Sequence, residues 1–228
     1  MCLFTWENGP GSRGPTWVRG AVTVGGQARA MPKERLAAFS DGVVAILVTI
    51  MVLELNVPHE PTWDAVRPVI PRLLVYALSF VYVAIYWNNH HHLINAADRI
   101  NAGILWANLH LLFWLSLVPW ATAWMGENHF DALPVAVYGV LLVLAALAYY
   151  ILQTLIVREH GPDSPLARAL GRDLKGKVSP VLYAVAIAMA FVVRWLSLAL
   201  YVGVALVWLV PDRRLEPLVR QTDTGSGG

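Results

Sequence analysis

The strongest constraint on this chain is a series of apolar runs, each about as long as a bilayer is thick, filling most of the sequence between residues 34 and 210. A membrane-spanning helix needs about 20 mostly apolar residues, and five or six stretches meet or approach that length. The runs are continuous rather than alternating, so they predict helices and not the strands of a membrane barrel. Only 14% of the residues are charged and 57% are hydrophobic; a soluble domain carries about 25% charge. Little length remains for a water-soluble catalytic domain. The single cysteine, Cys2, excludes an intrachain disulfide framework and a CxxC metal site. A formal net charge of +2 without a basic patch gives no reason to expect a nucleic-acid partner.

The runs predict spans over about Glu34–Val57, Pro71–Leu93, Ile100–Met125 and Pro134–Val157, followed by a basic loop from Arg158 to Lys177. The last apolar stretch, Val178 to Val210, would be about 50 Å long as one helix, too long for one span and slightly short for two. Two short helices turning near Arg194 are expected, with a single bent helix as the alternative. Residues 1–30 are Gly-rich and read as a disordered cytoplasmic extension, with Met31 as an alternative start; 31–211 form the membrane domain, and 212–228 a polar, disordered tail. With six spans and both termini inside, Lys and Arg concentrate on the cytoplasmic segments, and only Arg67, Arg72 and Arg194 fall outside. Trp63, Trp120, Trp124 and Trp208 sit near span ends, as an aromatic belt would.

Span 1 is the most informative segment. It reads RLAAFSDGVVAILVTIMVLELNVP from Arg35 to Pro58, with Arg35, Ser40 and Asp41 at its entrance. An acidic residue in a span is costly and normally has a partner. At about 100° per residue, Phe39, Gly42, Ile46, Thr49, Ile50, Leu53 and Val57 share one stripe. Asp41 lies roughly 140° and Ser40 roughly 120° from Ile46 on the same wheel. Two readings follow: the Ile/Leu row contacts lipid or another helix, or it lines a symmetric axis as a hydrophobic pore constriction. In the second, the polar face locks the span into its own bundle.

Several elements carry a family resemblance. In span 1 these are Arg35, Phe39-Ser40-Asp41-Gly42, Ala45-Ile46, Thr49, Leu53-Glu54 and Pro58. Span 2 has Trp87-Asn88-Asn89-His90-His91, and span 3 has Asn108-Leu109 and Pro119-Trp120-Ala121-Thr122. Together they closely resemble the transmembrane-175 family, the lysosomal potassium channel and its bacterial homologues. Trp120 stands where the family usually has Phe, and His92 extends the histidine pair. The resemblance implies an all-α, polytopic subunit of six transmembrane helices, assembled as a homotetramer whose first helix lines a central pore. It implies passive potassium permeation in a bacterial plasma membrane, with proton permeability open beside it. Ile46 would form the tightest ring, Ile50 and Leu53 further rings, and Thr49 would favour potassium over sodium. Arg35, Ser40, Asp41, Trp87, His90, His91 and Asn108 would form a buried cluster that aims Ile46 at the axis.

Simpler roles remain for several of these residues. Thr49 can bond back to the carbonyl of Ala45, as Thr often does inside a span. His90, His91 and His92 point about 100° apart and lack the i, i+4 spacing of a helical metal pair; no metal and no cofactor beyond permeant potassium is expected. Glu54 reads either as a cation-attracting group at the outer mouth or as a solvated carboxylate. A secondary transporter or proton-coupled carrier is the alternative function; it predicts inverted repeats and midplane acids, which are not evident. A membrane enzyme would need a nucleophile–base pair, and none is seen.

Overall fold

The computed structural model describes residues 32–97, 99–161, 164 and 174–209. The extension 1–30, the tail 212–228 and most of the basic loop lie outside these residues. The described residues form helices α1 (Lys33–Leu53), α2 (Trp63–Val66), α3 (Ile70–Asn95), α4 (Ala102–Ser116), α5 (Val118–Glu127), α6 (Ala132–His160), α7 (Leu174–Ala190) and α8 (Arg194–Leu209). A 3-10 turn at Arg67–Val69 joins α2 to α3. By length and hydropathy, α1, α2–α3, α4–α5 and α6 can each cross a membrane, while α7 and α8 are shorter apolar helices.

Proline and charge set the breaks. α1 stops at Leu53 rather than at Val57. Glu54 N–H reaches the Ile50 carbonyl at 3.3 Å and Leu55 N–H the Val52 carbonyl at 3.2 Å, and Pro58 disfavours helix in the residue before it. Val57 is therefore off the helix on which its stripe was drawn. Span 3 is one membrane-length segment, Ala102–Glu127, with a break inside it. Pro119 has no N–H to give to the preceding turn, and the chain breaks at Leu117. The last apolar stretch turns at 191–193, and α8 begins at Arg194, so it is a helical pair and not one bent helix.

Side-chain contacts give the bundle its up-and-down order. Lys33 Nζ donates to the Asn95 carbonyl at 3.2 Å, Asn101 Nδ2 to Glu159 at 2.9 Å, and Trp208 Nε1 to Ser179 Oγ at 2.8 Å. These pairs share one level, called here the Lys33 end. At the opposite, Leu53 end, Arg194 pairs with Asp131 at 3.2 Å, tying the start of α6 to the start of α8. Long helices consecutive in sequence are thus antiparallel, whereas α6 and α8, which also pack together, run parallel. One core joins α3, α5, α6, α7 and α8 around Tyr82, Tyr138, Tyr183 and Tyr201. A second joins α1, α3, α4 and α6 around Leu36, Ile94, Ile104, Leu111 and Leu152.

In lipid the apolar surface itself gives no drive to associate, so close approach and buried hydrogen bonds hold such a bundle. Gly139 supplies the close approach: a Cβ there would overlap Tyr201 Oη. The space a side chain would take on α6 is occupied by the Tyr201 ring of α8.

Candidate functional site

Helix α1 is held on one side and bare on the other. Its buried residues, Leu36, Ser40, Leu47 and Met51, follow i, i+4, i+11, i+15 spacing and form one stripe against α3, α4 and α5. The opposite stripe is exposed: Phe39 by 50%, Ile46 by 58%, Ile50 by 40% and Leu53 by 79%, with Gly42, Ala45 and Thr49 between them. A helix of such composition in a bilayer must put that stripe against lipid, other protein or a pore.

The buried stripe is pinned by a hydrogen-bonded chain that runs from α1 through α4 to α3. Ser40, 1% exposed, donates to the Leu36 carbonyl at 2.9 Å and accepts from Asn108 Nδ2 at 3.0 Å. Asn108 Oδ1 meets His90 Nε2 at 2.6 Å. An amide oxygen can only accept, so His90 carries its proton on Nε2 in this arrangement. Both Asn108 and His90 are buried. The triad spans α1, α3 and α4, and each member left alone would be an unpaired polar group in an apolar bundle.

Asp41 follows a different route. Trp87 Nε1 donates to Asp41 Oδ1 at 2.9 Å, and the Trp87 ring lies 5.7 Å from that of His91. Asn95 Nδ2 in turn donates to His91 Nε2 at 2.9 Å. The expected single cluster is therefore two neighbouring ones, a buried Ser40–Asn108–His90 triad and a more exposed Asp41–Trp87–His91 row. Arg35 is exposed and joins neither; no hydrogen bond or ion pair from its side chain is found among the described residues. The reason is rotational. Arg35 is one residue from Leu36, about 100° around the helix, and Leu36 faces the core.

Thr49 Oγ1 donates to the carbonyl of Ile46, three residues back, at 2.8 Å, rather than to Ala45. That bond spends the proton and leaves the hydroxyl oxygen able to accept or to face a cation. Glu54 is exposed just past the end of α1. Among the described residues, no group of three His, Cys, Asp or Glu side chains is arranged to hold a metal ion.

Sequence reasoning missed a second buried polar chain at the Leu53 side of the bundle. Thr122 Oγ1 lies 2.7 Å from the Val118 carbonyl and 2.7 Å from Ser79 Oγ, which lies 3.0 Å from Tyr138 Oη. Tyr82 Oη donates to the Tyr201 carbonyl at 2.6 Å, and Tyr201 Oη to the Val135 carbonyl at 3.1 Å. Thr122 stands in the quoted Pro-Trp-Ala-Thr element and could have been flagged; Ser79 sits in YALSFVY with no periodic signal.

The geometry can be set beside known proteins. The sequence profile of the endosomal/lysosomal potassium channel TMEM175 matches residues 35–119, the segment that carries α1, the histidine element and the break at Pro119. A potassium channel of Chryseobacterium sp. (strain P1-3) is 50% identical over 191 residues, covering 84% of this chain and 100% of the relative. A potassium channel of Chamaesiphon minutus (strain ATCC 27169 / PCC 6605) is 32% identical over 188 residues, covering 76% and 89%. The crystal structure of a lysosomal potassium-selective channel TMEM175 homolog from Chamaesiphon minutus superposes with a TM-score of 0.66 at 27% identity, covering 78% of this chain and 96% of that one.

Proposed function

As the chain belongs to the family of the endosomal/lysosomal potassium channel TMEM175, we propose that it is a potassium-selective channel conducting passively through a pore lined by α1. The observation that carries this reading is the exposed Ile46–Thr49–Ile50–Leu53 stripe on a helix whose opposite face packs against three others and is hydrogen-bonded to α4 and through it to α3. One such helix per chain cannot enclose an axis, so the pore needs several copies. A homotetramer places four α1 helices around it, within an assembly of six spans per subunit.

In that assembly Ile46 forms the narrowest ring and Ile50 and Leu53 further rings toward the Leu53 end. Hydrophobic constrictions gate by dewetting, and an ion passing them sheds part of its water. Potassium binds its water less tightly than sodium, so the ring favours potassium without coordinating carbonyls. Thr49, one turn beyond Ile46, offers its oxygen where the ion is least hydrated. The Ser40–Asn108–His90 triad and the Asp41–Trp87 bond fix the rotation of α1 and hence the aim of Ile46. The Lys33 end faces the cytoplasm, because Lys and Arg gather there, and the protein resides in the bacterial plasma membrane.

The test is a planar-bilayer recording of the purified protein with the Ile46→Asn variant beside it. Unitary currents reversing near the potassium equilibrium potential are expected, with higher conductance and a potassium-to-sodium permeability ratio falling toward one in the variant. Saturable, coupled flux without unitary currents would favour a carrier and remove the reading.

A further inference from the structure

Far from α1, a cavity of about 430 Å³ opens between α3, α6, α7 and α8. That volume falls within the range of about 300–1,000 Å³ typical of small-molecule sites. Helix α7 packs against α6 and α8, and it meets α3 at the Tyr82–Tyr183 ring pair, 6.4 Å between centroids. From there toward the Lys33 end the cavity fills the gap between them.

The walls are more apolar than their tyrosines suggest. Tyr82 and Tyr86 spend their hydroxyls on the Tyr201 and Leu142 carbonyls, at 2.6 and 3.4 Å. Their rings, with Ile85, Val143 and Ala146, line the deeper part. Polar lining appears toward the Lys33 end, where Asn89 and Gln153 stand. The rim is open to the membrane rather than enclosed: Leu147 is 50% and Tyr150 63% exposed.

Positive charge lies just past the polar end. Arg158, exposed in the last turn of α6, lies about 7.5 Å farther along the helix than Gln153 and about 140° around it, within about 20° of the rim residue Leu147. An apolar slot reached from the side, graded to polar and ending at a cation, matches an amphiphile lying parallel to the helices. Basic groups at the cytoplasmic surface attract anionic headgroups.

We infer that this cavity holds one acyl chain of an anionic phospholipid in each subunit, with the headgroup at Arg158. The site rests on the bundle spanning a membrane and not on ion conduction, so lipid binding and potassium flux can fail separately.

The experiment is native mass spectrometry of the full chain, purified in mild detergent and supplied with phosphatidylglycerol or phosphatidylcholine. The unaltered protein should retain one phosphatidylglycerol per subunit, several-fold more than phosphatidylcholine. Ala146→Phe, which fills the slot, should lose it, and Arg158→Gln should bind the two lipids equally. If Ala146→Phe does not elute like the unaltered protein, Ala146→Leu replaces it with thermal unfolding as the readout. Ligand binding to the folded state raises Tm, so phosphatidylglycerol should raise the Tm of the unaltered protein by several degrees and that of the variant by much less. Unchanged retention in the filled variant overturns the site. So does equal retention of both lipids by the unaltered protein, or retention of neither because a neighbouring subunit fills the slot.

Discussion

Asn108 is fully buried and uses both ends of its amide, one toward His90 and one toward Ser40. Asn108→Leu keeps the volume but strands the His90 N–H, while Ser40 keeps its bond to the Leu36 carbonyl; a buried group left unpaired costs about 1–3 kcal/mol. Membrane bundles recover part of such losses through other partners, so a Tm lower by a few degrees, read by thermal unfolding in detergent, is the expected outcome. Selectivity should fall with it, because the rotation of α1 is no longer fixed. Thr49→Val separates the two roles of the hydroxyl. Its bond to Ile46 lies within the exposed face of one helix, so assembly and Tm should stay within error of the unaltered protein. The potassium-to-sodium permeability ratio, from bi-ionic reversal potentials, should fall several-fold. The sequence exposed part of this. An aspartate in a span announces a partner, but the wheel could not say that Asp41 would take Trp87 while Ser40 took Asn108, because partners on other helices have no fixed sequence offset. Arg35, adjacent to the motif in sequence, stands outside the cluster, which sequence adjacency alone does not reveal.

At the scale of helices, Gly139 sets how near α8 comes to α6. Gly139→Ala would drive a methyl into Tyr201, whose hydroxyl is held by Val135. Overpacking of this kind costs about 1–3 kcal/mol, a clear drop in Tm. Gly126→Ala is the matched control: its Cβ would meet Arg72 Cγ at 3.2 Å, the stem of a flexible side chain, and little change is expected. Element positions were largely readable, since length and hydropathy alone locate α1, α3 and α6 within a few residues. The breaks were carried by prolines. Pro58 keeps Val57 out of helix, although α1 already ends at Leu53, and Pro119 puts a break inside the third span. The α7–α8 turn was legible as a problem of length, too long for one span, and its location at 191–193 followed from Arg194.

Across the whole molecule, the bare face of α1 makes a direct test of how copies meet. In a Cys2→Ser background, Ile50→Cys or Leu53→Cys should cross-link between subunits under mild oxidation, seen as dimers on a denaturing gel. Trp106→Cys, at a 71% exposed position on α4, should not. Cross-linking confined to the Trp106→Cys variant would move the axis away from α1. The sequence by itself determined that the chain is a helical membrane protein, which residues its first helix presents as one apolar stripe, and which family it resembles. Those properties are local, written in run length, helical period and contiguous motifs. Only the tertiary structure decided which stripe of α1 is buried, which polar groups hold it there, and that a slot opens between α3 and α7. These depend on helices far apart in sequence, whose relative rotation is set by packing and hydrogen bonding rather than by any period in the chain.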